Sequence, residues 1–202
     1  MSKKELILKA AVEVFGEKGF RNATTDEIAK KAGVAKGLIF HYFRTKKELY
    51  YQTYVFVSEK LRKEFEEFMQ KHEDEDIFVF MEKWMEKKIT YSAEHPEVFN
   101  FLITLVSVDR DLQGRILRYL EAAQRIFFDF IRKKLKNLEL ADEVTEDMAF
   151  KLLWCFSKGF EEGYILKIYQ GRPDSLKRDI KKISEEAKVM FRVMKRGLLK
   201  KQ

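Results

Sequence analysis

The sequence predicts an all-α protein of about nine helices, and three observations carry that expectation. Apolar residues recur at three- and four-residue steps along nearly the whole chain: Ile7, Ala10, Ala11, Val14 and Phe15 near the start, Ile180, Ile183, Ala187, Met190, Phe191 and Met194 near the end. That period lays one buried stripe along a helix. Only two prolines occur, Pro96 and Pro173, so little interrupts the stripes. No stretch alternates polar and apolar residues for long enough to make a strand. With 202 residues, 46% of them hydrophobic, the chain is long enough to bury a sizeable core.

Punctuation sets the elements in order. Gly19 closes the first helix as a C-terminal glycine. Thr24 opens the second and Gly33 closes it, and a short third spans about 35 to 43. Thr45 opens a long fourth that continues to about residue 71. The acidic turn at 73 to 76 starts the fifth, because carboxylates favour the positive end of a helix dipole. Pro96 begins the sixth, at a first-turn position where a missing amide is harmless. Helices seven and eight, about 110 to 137 and 143 to 170, flank the linker NLELADE, and GRPDS at 171 to 175 separates the eighth from the ninth. Domain boundaries are expected at 1–48 for a small head and 49–202 for a larger body.

Composition excludes several classes. The longest uncharged apolar run, VFNFLITLVSV at 98 to 108, has eleven residues, against roughly 18 or more for a membrane span. The N-terminal stretch is basic but interrupted by Glu5, Glu13 and Glu17 and lacks a signal-like apolar core, so a cytoplasmic location is expected. Cys155 is the single cysteine and its setting, LLWCFSKGF, reads as buried core. His41, His72 and His95 lie far apart and no Cys or His stands at ligand spacing, so neither a metal site nor another cofactor is expected. No spacing supplies a nucleophile with an acid–base pair, so no enzyme is expected. Residues 1 to 50 hold 11 Lys+Arg against 6 Asp+Glu, whereas the remaining 152 are nearly balanced. A basic front end suits a polyanionic partner.

Residues 24 to 49, TTDEIAKKAGVAKGLIFHYFRTKKEL, carry the sharpest signal. Thr24 with Glu27, and Thr45 with Glu48, each have the spacing of a capping box, so two helix starts are written about twenty residues apart. Between them Ile28, Ala29 and Ala32 make one short buried stripe, Gly33 supplies a left-handed turn, Val34 plugs it, and Ile39 and Phe43 anchor the next helix. The arrangement is a helix-turn-helix, whose second helix enters the DNA major groove. Gly37 falls in the first turn of that helix, where glycine is unfavourable by about 1 kcal/mol relative to alanine. Either its bare Cα lets backbone approach DNA, or it is merely tolerated near a helix end.

The pattern Thr25, Ile28-Ala29, Ala32-Gly33-Val34, Lys36-Gly37, Ile39-Phe40, Tyr42-Phe43 and Lys46 closely resembles the DNA-binding motif of tetracycline-repressor-type (TetR family) transcriptional regulators. The resemblance is strong over residues 5 to 50 and beyond them rests on length and helix layout. It implies that Thr25 and Lys46 contact phosphates, that Lys36, Gly37 and Leu38 face the bases, and that His41 and Tyr42 meet the backbone or groove edge. Lys36 would donate to guanine O6 or N7, and Leu38 would pack on a thymine methyl. For His41 and Tyr42 the competing reading is a solvated or half-buried ring. Two positions depart from the family pattern. Ala35 stands where a serine commonly caps the recognition helix, and Phe40 where tyrosine is usual, so Phe40 either faces DNA without a hydroxyl or packs inward.

Residues 51 to 202 contain 14 of the 18 phenylalanines and both tryptophans. Ordinary core accounts for most such residues, while the resemblance implies a small-molecule pocket in the body, for which Phe65, Trp84, Phe99, Phe128 and Trp154 are the expected wall and Lys88 a polar contact. Such a site would take a small apolar effector. Gly159 and Gly163, one turn apart, and the stripe Ile183, Ala187, Met190 and Met194 are the expected dimer interface, with intrachain packing as the alternative use. The resulting expectation is a homodimeric regulator of double-stranded DNA, a repressor released by its effector. The alternative is a constitutive or architectural helix-turn-helix binder that answers to no ligand.

Overall fold

The computed structural model describes residues 1–160 and 173–200. Among them the chain forms helices α1 (Lys3–Asn22), α2 (Thr25–Ala32), α3 (Lys36–Phe43), α4 (Lys46–Lys71), α5 (Ile77–Glu94), α6 (Pro96–Ile103), α7 (Arg110–Leu135), α8 (Glu146–Phe160) and α9 (Pro173–Leu198), with a 3-10 turn at Thr104–Ser107 after α6. The all-helical class and the helix order match expectation. Two compact units result, residues 1–67 with 95–124, and 68–94 with 125–202. Of the three cuts, two fall inside α4 and α7 and the third between α5 and α6, and the expected head, 1–48, lies wholly within the first unit.

In the first unit α1 packs across α2 and α6. Its buried stripe includes Ile7, Ala10, Ala11, Val14 and Phe15, the residues whose spacing marked it as a helix. Gly19 breaks the helical path with φ 72° near the end of α1, and Ala23 N–H donates to its carbonyl at 3.2 Å. Gly16 has a different use. A Cβ there would lie 3.0 Å from the Phe101 nitrogen and 3.1 Å from the Glu97 oxygen, so the α6 backbone sits where a side chain would be.

The core of this unit is aromatic. Tyr50 lies 4.9 Å from Phe15 and 5.3 Å from Phe101, and Tyr54 lies 4.6 Å from Phe101, measured between ring centroids. Such pairs add about 0.5–1.5 kcal/mol each beyond their burial. Their hydroxyls are satisfied inside, Tyr50 against the Thr104 hydroxyl at 2.7 Å and Tyr54 by donation to the Leu102 carbonyl. Burial pushes the Tyr50 phenol up to about 12, because the phenolate would lose its hydration.

In the second unit α9 packs along α5. Asp76 caps α5 by accepting from Phe78 N–H at 2.9 Å, as the acidic turn foretold, and takes Lys195 of α9 at 3.1 Å on its other oxygen. Phe78, Phe80, Met81, Met85 and Ile89 of α5 are buried, as are Ile183, Ala187, Phe191 and Leu198 of α9. Phe156 of α8 meets Phe191 of α9 at 4.8 Å. This corrects the expected dimer stripe: Ile183 and Ala187 are 2% and 1% exposed and belong to the chain's own core. The apolar arc of α9 is wide, and Val189, Met190 and Val193 occupy its outward part, while Met194 is half-buried. Cys155, expected in the core, is exposed on α8.

Candidate nucleic-acid interface

The head is built by local chemistry around one turn. Thr24 accepts from Glu27 N–H at 3.2 Å while the Glu27 carboxylate accepts from Thr24 N–H at 3.0 Å, so the first capping box is complete. At the other end of α2, Gly33 adopts φ 65°, ψ 38°, and Gly33 N–H and Val34 N–H donate to the carbonyls of Lys30 and Ala29. This is the paired closure of a helix by a left-handed residue. Ile28 and Ala29 of α2 and Ile39 and Phe43 of α3 are buried, which fixes α3 by one face.

The other face of α3 is outward. Lys36, Gly37 and His41 are exposed, and Phe40 and Tyr42 are each 41% exposed, large rings left in solvent. Leu38 is half-buried. Phe40 therefore takes the outward option, and His41 and Tyr42 stand side by side with centroids 5.3 Å apart. Ala35 occupies the N-cap with no side-chain hydrogen bond, so the missing serine leaves the start of α3 uncapped. Around Gly37 no heavy atom would lie within 4 Å of an added Cβ, and its φ is not in the left-handed region. Neither packing nor backbone conformation requires glycine there.

Two expected phosphate contacts are placed less simply. Thr25 is half-buried in the first turn of α2. Lys46 turns its ammonium onto the Arg21 carbonyl at 3.1 Å and over the Phe20 ring at 4.9 Å, and desolvation lowers its pKa. It staples the start of α4 to the end of α1. The second capping box is half-formed: Thr45 accepts from Glu48 N–H at 3.1 Å, but the Glu48 carboxylate is taken by Arg115 of α7 at 2.7 Å. That hydrogen bond is the main cause holding Glu48 below the usual carboxylate range. Arg115 also lies over the Tyr51 ring at 3.6 Å, Lys47 pairs with Asp109 at 3.0 Å, and Tyr119 donates to Glu59 at 2.7 Å. A run of polar contacts thus links α4 to α7.

Sequence reasoning missed Asp26, which takes the Lys36 ammonium at 2.7 Å, and Arg44, an exposed residue holding φ 59° between α3 and α4. The only signal for Arg44 was its basic character directly after the recognition helix.

Of the expected pocket residues, buried Phe65 and half-buried Phe99 belong to the first unit, and half-buried Trp84, Lys88, Phe128 and Trp154 to the second. Phe128 and Trp154 meet edge-to-face at 4.7 Å, and Trp84 lies 5.2 Å from Phe68. Gly159 is exposed, with nothing among the described residues within 4 Å of an added Cβ, and Gly163 lies outside the described residues. Among the described residues no cluster of His, Cys, Asp or Glu could hold a metal ion, and no helix is long and apolar enough to cross a membrane.

A three-helix head with a Schellman-closed turn and an outward aromatic and basic second helix defines a helix-turn-helix DNA-binding protein. Comparison with known proteins makes this specific. Residues 7–52 match the bacterial regulatory proteins of the tetR family, and residues 75–199 match the tetracyclin repressor-like C-terminal domain. The chain belongs to the TetR family of transcriptional regulators, a non-enzymatic family that binds DNA through its helix-turn-helix.

The HTH-type transcriptional regulator YvdT of Bacillus subtilis is 25% identical over 150 residues, 74% of this chain and 73% of that protein. The fatty acid metabolism regulator protein of the same species is 46% identical over 43 residues, 21% of this chain and 22% of its own. Among solved structures, the transcriptional regulator FadR from Bacillus subtilis in complex with stearoyl-CoA has a TM-score of 0.69 at 19% identity, covering 91% of this chain and 96% of that one.

Proposed function

We propose that the protein is a sequence-specific repressor that binds a palindromic operator as a homodimer and is released by a small apolar ligand. Residues 1–48 read DNA and residues 49–202 bind the ligand and the second copy. The observation that carries the DNA-reading assignment is Gly37: a glycine in the first turn of α3 that the fold does not need leaves backbone bare on the face where Lys36, Phe40 and Tyr42 also point outward. Close approach to a duplex explains it.

Dimerisation is supported by outward apolar stripes on two helices of the second unit. On α8, Met148 is 52% and Leu152 46% exposed, with Cys155 and Gly159 following on the same side, and on α9 Val189, Met190 and Val193 are exposed. An apolar face of this size on a protein that must read two half-sites fits a helix-to-helix interface. Of the expected interface, Met190 and Gly159 keep that role.

Release by a ligand is supported by the likeness of the fold to FadR with stearoyl-CoA, and by Ser157 and Ser184. These hydroxyls are buried in the second unit without a hydrogen-bond partner among the described residues, and such groups are ones a bound molecule would satisfy. A ligand releases DNA only if it favours the body conformation whose heads mismatch the operator.

The test is selection of bound sequences from random DNA by the parent and by a Lys36→Ala, Tyr42→Ala variant, followed by titration of the selected duplex with small apolar molecules and, separately, with long-chain acyl-CoA, whose tail is apolar and whose head is anionic. A palindrome enriched by the parent alone, then released by one ligand class, is the expected result. Failure of a folded parent to enrich any sequence would overturn the DNA reading. An enriched palindrome that no ligand releases would favour the constitutive binder.

A further inference from the structure

We propose that Asp26 sets the sequence specificity of the head by holding the Lys36 ammonium on a short leash at the leading edge of α3. The inference rests on Lys36 being a base-reading residue.

Three observations carry it. The Lys36 ammonium and the Asp26 carboxylate are 2.7 Å apart, joined from separate helices across the turn at Gly33. The neighbouring acid, Glu27, is engaged elsewhere, in the capping box with Thr24 and on Lys18, so Asp26 is the carboxylate assigned to Lys36. Both side chains are well exposed, at 50% and 64%, so the pair lies on the surface of the head and a duplex can reach it.

A lysine is a point charge on a flexible stem that reaches a phosphate as readily as a base. Contact with phosphate carries no sequence information, whereas contact with guanine O6 or N7 does. Tethering to Asp26 uses one of the three N–H donors and confines the other two to a small volume beside the first turn of α3. It also places a negative charge where a wandering ammonium would meet phosphate. Both effects weaken binding to arbitrary DNA more than binding to a duplex that offers acceptors at that point. Discrimination by opposing the wrong partner is a general route to specificity.

The test compares affinity for the selected operator with affinity for a scrambled duplex, over a salt series, for the parent, Asp26→Ala, Lys36→Ala and the double variant. Asp26→Ala is expected to bind scrambled DNA roughly three- to fivefold more tightly per head, in line with the worth of an exposed ion pair. Its salt slope on that DNA should steepen by about 0.9 per head as the freed cation takes a phosphate, and its operator-to-scrambled ratio should fall by a similar factor. In the Lys36→Ala background, removing Asp26 should leave the ratio unchanged. The proposal is overturned if Asp26→Ala leaves the ratio as in the parent, or lowers it equally without Lys36, which would mean Asp26 acts only on the start of α2. A parent with no preference between the duplexes overturns both this inference and the DNA reading beneath it.

Discussion

Replacing Gly16 by alanine tests how α1 meets α6. In an ordinary helix interior this change gains about 1 kcal/mol of helix propensity. Here the new methyl would stand 3.0 Å from the Phe101 nitrogen, 3.1 Å from the Glu97 oxygen and 3.3 Å from the Asn100 Cβ. Two of the three are backbone atoms of a helix, which cannot swing aside as a flexible side chain can. Overpacking of this sort costs typically about 1–3 kcal/mol, and rigid neighbours put it near the top of that range, leaving a net loss of about 1–2 kcal/mol. For a chain of this length each kcal/mol moves the thermal midpoint by about 2–4 °C, so a fall of roughly 2–8 °C is expected. Thermal unfolding followed by circular dichroism, with a urea titration beside it, measures this. A midpoint that rises would refute the reasoning, since it would mean propensity wins and α6 does not press on α1 at Gly16.

Gly37→Ala should behave oppositely: with open space around the site, stability should hold or rise by up to about 0.5 kcal/mol, while operator affinity falls at least tenfold in a mobility-shift titration. Arg115→Gln should lower stability at pH 7 by about 0.5–1 kcal/mol, since the pair with Glu48 is partly exposed. The sign with pH follows from Glu48 being held below its ordinary value of 4.5 in the folded state. The pair's contribution is whole above 4.5 and fades as pH falls through the lower folded value. Urea titrations of parent and variant should therefore converge below pH 4.5. Leu152→Glu with Val193→Glu should convert a dimer to a folded monomer in sedimentation velocity, because both residues are exposed. An unchanged dimer would place the interface elsewhere.

The head was legible because its signals are local. A capping box and a left-handed closing glycine are each written within a few neighbouring residues, so Thr24, Glu27 and Gly33 announce α2 before any tertiary contact is known. Where the same grammar failed, a distant partner had displaced the near one: Glu48 has the right spacing from Thr45, yet its carboxylate goes to Arg115, 67 positions away. Lys46, expected at a phosphate, is likewise held in this structure by the Arg21 carbonyl, 25 positions away. Competition of this kind leaves no trace in a short window of sequence.

By itself, then, the amino-acid order determined the helical class, the position of the turn and the residues that α3 carries, because backbone conformation and short-range hydrogen bonding are set by near neighbours. The tertiary structure alone decided which arc of α9 faces inward, that Cys155 is exposed, and that Asp26 claims Lys36. A periodic apolar stripe tells how wide a buried face is but not which part meets its own chain. Likewise a charge announces its sign, and its partner is chosen only when folding brings separate helices within a few ångströms.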